Sequence, residues 1–231
     1  MSNEVVNLLG VGIYTVSEAS RLSLVHTRTI HRWIRGYEYR VGEDRHWSPQ
    51  VITPVVPTID GKYALSFKDL IEVRFVDAFR KQGVSWKVVR QAAESAKKIF
   101  RTSHPFSTKR FQTDGRTILA ELATAEGDGA LFDIVRSQFV FREVLAPYLR
   151  GLELSQGDEV IRWWPLERRG RVVLDPARSF GQPIINDEGV PTAVLYRAFK
   201  AEGDIAPVSR WFEVKPRSVQ AAIEFEERFV A

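Results

Sequence analysis

Apolar residues recur at helical spacing in some stretches of the chain and in short extended runs in others, and this alternation lays out its elements. Thr15 to Glu18 reads as a capping box, in which the Thr15 hydroxyl accepts from the Glu18 amide while the Glu18 carboxylate reaches back to the Thr15 amide. A helix of about two turns is predicted behind it, with Val16, Ala19 and Leu22 as its apolar stripe. A second helix is predicted at HTRTIHRWIRG, residues 26–36. At about 100° per residue, Arg28, Arg32 and Arg35 fall within about 60° of one another. Ile30, Trp33, Ile34 and Tyr37 cluster on the opposite side, with His31 beside the arginines and Thr29 at the border.

Extended stretches at Val51 to Val56 and Lys62 to Leu65 flank an Asp60-Gly61 turn, so the pattern predicts a hairpin wing there, with Lys62 at its tip. Pro54 and Pro57 confine its first strand to an edge. Ser66 then caps a helix carrying Leu70, Val73, Phe75, Val76 and Phe79, which ends at Gly83. Ser85 starts another with Val88, Val89, Ala92, Ala96, Ile99 and Phe100. Beyond it, RFQTDGRTILAEL reads as a hairpin around Asp114-Gly115, residues 131–152 as a helix, and Val160 to Trp164 and Arg171 to Leu174 as two strands. Of the adjacent Trp163 and Trp164, one is expected in the core and the other over a subunit or domain contact. After the punctuation of Asp175-Pro176, Pro183 and Pro191, three helices are predicted: one from Pro191 to Gly203, a short one at 207–212, and a last one at 216–229. The expected fold is therefore mainly α with small β elements. It comprises an N-terminal winged helix-turn-helix (1–100), an α+β connector (101–175) and a C-terminal three-helix domain (176–231).

Composition removes several chemistries. There is no cysteine, so disulfides, thiolate metal sites and thiol nucleophiles are excluded. The histidines His26, His31, His46 and His104 lack the spacing that lets two rings share a metal on one helix, and no metal or other cofactor is expected. No phosphate-cradling glycine loop or Ser/His/Asp signature appears, and the chain reads as a non-enzyme. Neither a membrane-length apolar run nor a signal-peptide layout is present, which predicts a cytoplasmic protein with no membrane partner. The net charge is +4. Residues 1–100 hold 15 Lys/Arg against 10 Asp/Glu, whereas 101–175 hold 11 against 11 and 176–231 hold 7 against 8. The basic excess thus lies wholly in the first part, and no acid stands between Glu18 and Glu38. A short capped helix followed by a helix with a basic outer face suits a helix-turn-helix whose second helix enters the DNA major groove.

The stretches TVSEASRLSLVHTRTIHRWI and KYALSFKDLIEVRFVDAFRKQGVSWKVVRQA resemble the winged-helix domain of MerR-type regulators. Val25, Thr29, Ile30, Trp33, Ser66, Asp69, Leu70, Gly83, Val84 and Ser85 fit that pattern, while His26 stands where the family has a Ser or Thr cap. A second resemblance covers 172–229. Asp175, Pro176, Gly181, Pro183, Ile184, Ile185, Val190, Pro191, Leu195, Gly203, Asp204, Val208, Phe212, Val219 and Ala222 match the small uncharacterised-domain antitoxins grouped with VapB-type proteins.

Together the resemblances imply the antitoxin of a type II toxin–antitoxin pair, a homodimer that neutralises a PIN-like ribonuclease toxin and represses its own operon. Arg28, Thr29, His31, Arg32, Arg35 and Lys62 are the expected contacts to double-stranded operator DNA. Because PIN-like toxins have an acidic metal site, Arg210, Lys215, Arg217 and Arg228 are candidates to enter it. The alternative is a ligand-sensing MerR-like transcriptional regulator with no toxin, its effector held in the middle region.

Overall fold

The computed structural model describes residues 8–81, 83–111, 146–149, 151–167 and 170–229. They form a mainly helical molecule with small antiparallel sheets. Strand β1 (Tyr14–Thr15) leads into α1 (Val16–Ser23), where both halves of the Thr15–Glu18 capping box are made, with Glu18 N to Thr15 Oγ1 at 3.1 Å and Thr15 N to Glu18 Oε2 at 2.8 Å. Leu24, in the left-handed region at φ 58°, ends the helix and starts the tight turn into α2 (Thr27–Arg35). Ala19 and Leu22 of the first helix are buried together with Ile30, Trp33 and Ile34 of the second, which gives the helix-turn-helix its core.

A hairpin follows, β2 (Tyr37–Val41) with β3 (Asp44–Ser48), in register from Tyr37 opposite Ser48 to Val41 opposite Asp44. Gly42, at φ 63°, opens its two-residue turn. This is the wing, and it corrects the expected one. Residues 51–56 form no strand; Val51 and Ile52 are buried under α2, their amides bonded to Trp33 O at 2.9 and 3.1 Å. The Asp60-Gly61 turn is only a tight loop closed by Ile59 and Lys62, and β4 (Ala64–Leu65) pairs with β1 instead. With prolines at 54 and 57 the segment lacks the donors a ladder needs.

Ser66 caps α3 (Phe67–Lys81) through a box with Asp69, and Ser85 caps α4 (Trp86–Phe100). Phe75 and Phe79 of α3 meet Phe106 and Phe111 in an aromatic cluster, the closest pair 4.8 Å apart between ring centroids. The hairpin expected at 110–122 and the helix expected over 131–152 lie outside the described residues, except for residues 110–111, a helical turn at Ala146–Leu149, and residues 151–152. Leu152 itself opens β5 (Leu152–Leu154).

A four-stranded antiparallel sheet joins β5, β6 (Val160–Trp163), β7 (Val172–Leu174) and β8 (Pro183–Ile185) in that order. It runs through residue 175, where the sequence pattern set a boundary, because β8 pairs with β7 from Val172 opposite Ile185. Against it pack α5 (Thr192–Glu202) and α7 (Pro216–Phe229), with α6 (Ile205–Trp211) packed on both helices. Pro191 precedes the first of these as its cap residue, and the middle helix starts two residues before the expected 207 because Asp204 caps it. Trp163 is buried; Trp164 is half-buried and donates from Nε1 to Glu153 at 3.1 Å.

Two links, one buried and one part-buried, fasten the helix-turn-helix segment to the C-terminal part of the chain. Tyr14 donates to Gly181 O at 2.6 Å, and burial pushes its hydroxyl well above the usual tyrosine range. Gly181 is at φ 83°, and a Cβ there would stand 2.5 Å from Tyr14 Oη, so no other residue fits. Arg21 of α1 pairs with Glu226 of α7 at 2.8 Å, while Thr192 donates to the other oxygen of the same carboxylate. No helix among the described residues is long and apolar enough to cross a membrane.

Candidate nucleic-acid interface

The interface begins at the cap of α2. His26 takes the place of a hydroxyl cap, its Nδ1 accepting from Arg28 N at 3.1 Å. That role requires a neutral ring with the proton on Nε2. The helix then buries Ile30, Trp33 and Ile34 and exposes Arg28, Arg32 and Arg35, with Thr29 and His31 half-buried between. Trp33 packs edge-on against Trp86 of α4 at 5.8 Å, which fixes the rotation of the helix about its axis.

The arginines are steered by aromatic rings. Arg32 lies over Tyr37 at 5.0 Å and Arg35 over Tyr63 at 5.7 Å. A shallow depression of about 450 Å³ opens between them, walled by Arg28, His31, Trp47 and Tyr63. A second depression, which shares His31, Arg35 and Tyr63 with the first, brings Lys62 beside Thr15 and Ser17. Arg28, His31, Arg32, Arg35 and Lys62, five of the six expected DNA contacts, thus border these two depressions, although Lys62 belongs to a loop beside the helix and not to a wing; Thr29, half-buried on α2, lines neither. His31 Nδ1 is shielded from solvent and has no partner, leaving a polar atom at the foot of the arginine face.

The wing supplies residues that the sequence pattern did not single out. Tyr39, Val41 and Trp47 are exposed on it, as are Arg40, Arg45 and His46. Tyr39 stacks on His46 at 5.4 Å, and Arg45 pairs with Glu38 at 3.4 Å. Its base is held by Arg90 of α4, which donates to Ser48 Oγ while flanking Trp86. At the junction of helix and hairpin, Gly36 is at φ 74°, and a Cβ would lie 2.7 Å from Ser48 O, so this turn requires glycine.

The four C-terminal candidates are all exposed but do not converge. Arg210, Lys215 and Arg217 cluster around the connection of α6 and α7, where Glu188 binds Ser218 Oγ at 2.9 Å. Arg228 stands about 16 Å further along α7 and lines a separate cleft with Arg74.

Residues 12–93 match a family described as a "Putative DNA-binding HTH domain". The match spans both helices of the helix-turn-helix, the wing and most of α4. Over the whole length, the chain is 29% identical across 225 residues to a Mycobacterium tuberculosis protein named "Putative antitoxin VapB45", covering 93% of each. Its fold is similar to the crystal structure of Rv2018 from the same organism, with a TM-score of 0.73, 26% identity, and coverage of 94% of this chain and 99% of that one. The likeness extends through the sheet and the C-terminal helices.

Proposed function

We propose that the protein is the antitoxin of a type II toxin–antitoxin pair, acting in the cytoplasm without catalysing a reaction of its own. It binds double-stranded operator DNA as a homodimer through a MerR-like winged helix-turn-helix within residues 1–100, and so represses its own operon. The C-terminal unit, residues 176–231, carries dimerisation and binds a PIN-like ribonuclease, with Arg210, Lys215, Arg217 and Arg228 offered to the toxin's acidic metal site; residues 101–175 connect the two. The observation that carries the DNA half is the arginine face of α2: three exposed guanidinium groups side by side, with no acid from residue 19 to 37 to neutralise them. Arginine's planar fork bonds guanine edges or phosphates in pairs. The toxin half is supported by the full-length likeness to a protein named as an antitoxin.

Co-expression with the adjacent open reading frame tests this reading. The expected outcome is rescue of growth arrested by that frame and co-purification of the two chains. Growth arrest that persists in the presence of the antitoxin candidate, with no complex recovered, refutes the toxin assignment.

A further inference from the structure

A cleft of about 620 Å³ opens between α3, the sheet and α7. Arg74 of α3 forms its inner wall. Its guanidinium lies 3.9 Å from the Trp163 ring centroid and 5.3 Å from that of Tyr148. Nη1 is shielded from solvent and has no hydrogen-bond partner. Burial pushes the group down to about 10, so it is still charged at neutral pH. The rings compensate part of its charge through their faces, but they cannot accept the N–H in its plane. A buried charged donor left in that state costs free energy unless something supplies an oxygen.

The remaining walls indicate what supplies it. Arg228 stands on the opposite lip, on α7, and brings a second guanidinium to the same space. Trp164, Pro165 and Leu166 give the cleft an apolar side. Glu224 and Glu167 also border it, which disfavours a strongly charged occupant such as a polyphosphate. Glycines shape the walls: a Cβ at Gly170 would fall 2.4 Å from Leu166 Cβ, and one at Gly151 2.6 Å from Trp164 O. The volume lies in the range of small-molecule sites.

We propose that this cleft binds a small organic carboxylate, its charged end held between Arg74 and Arg228 and its apolar body against Trp164, Pro165 and Leu166. The inference does not depend on DNA binding; it shares Arg228 with the proposed toxin contact, so a bound carboxylate and the toxin would compete for that side chain. It gives the chain an effector site spanning the helix-turn-helix half, through α3, and the C-terminal half, through α7.

Ligand-detected saturation-transfer NMR on the full chain tests it, with benzoate as the probe at constant ionic strength set by chloride. Wild-type protein is expected to give a saturable benzoate signal. Arg228→Ala, which changes an exposed side chain, should weaken binding about ten-fold or more, and Arg74→Lys by a similar factor. Inorganic phosphate at equal concentration should leave the benzoate signal largely in place. Absence of saturable binding to wild type, or equal binding to wild type and a folded Arg228→Ala, overturns the proposal; phosphate displacing benzoate at equal concentration overturns the preference for a carboxylate.

Discussion

The arginine face of α2 and the C-terminal helices carry exposed cations in opposite ways. On α2 the cations are contiguous, and Glu38, the first acid after them, is on the hairpin and paired with Arg45. On α7 the exposed Arg217 and Arg228 share the helix with Glu224 and Glu227, and its buried Glu226 is already engaged by Arg21 and Thr192. The first surface projects an unbalanced field suited to a polyanion, whereas the second is close to neutral and suits a partner that reads shape and individual side chains. Basic residues therefore mean different things at the two ends.

The largest effect should come from breaking the first surface. Arg28→Ala with Arg32→Ala is expected to lower affinity for the DNA upstream of the operon by about 100-fold and to reduce the salt slope by about two charges. Fluorescence anisotropy across a salt series measures both, and an unchanged slope would mean that neither arginine meets the DNA backbone. Next is the link between the two ends: Glu226→Ala strands Arg21 and Thr192 and should cost about 2 kcal/mol of stability, read by urea unfolding. His26→Ala removes only the cap of α2 and is expected to cost about 1 kcal/mol, whereas His26→Ser should retain most of that stability. Smallest of all, Arg210→Ala with Lys215→Ala and Arg217→Ala should change operator affinity by less than about two-fold at physiological salt, since screening confines their influence to roughly 8 Å. The same triple change should abolish co-purification with the adjacent gene product, which sharpens the contrast between the two surfaces.

A pH series probes the packing of α3 against residues 105–107. Glu72 of α3 is fully buried, which raises its carboxyl well above the usual range despite the Ser107 amide donated to it at 3.1 Å. Because the folded state holds this proton more tightly, its contribution favours folding below the ordinary glutamate range and is lost as pH rises through the raised value. Glu72→Gln should therefore raise the melting temperature at pH 7 and match wild type near pH 4, as measured by calorimetry.

The helices were legible because their signals are local. Thr15 with Glu18, Ser66 with Asp69, and the 3.6-residue spacing of Ile30, Trp33 and Ile34 each state a boundary or a face without tertiary information. The wing was not legible. Between Glu38 and Trp47 every residue is exposed, so neither strand shows the apolar alternation that marks a half-buried sheet, and the pattern drew attention to Asp60-Gly61 instead. Gly42 in a two-residue turn was the one local cue. The carboxylate cleft lay further from view, because Arg74, Trp163 and Arg228 come from three remote segments that only the folded chain brings together.

The twin fastening of β1 and α1, by Tyr14 to Gly181 and by Arg21 to Glu226, makes the chain a solid caliper. If two chains join through their C-terminal helices, the gap between their reading helices is set by bone and not by tether. An operator lengthened by 5 base pairs, about half a turn, would then present one half-site on the wrong side of the duplex and be refused.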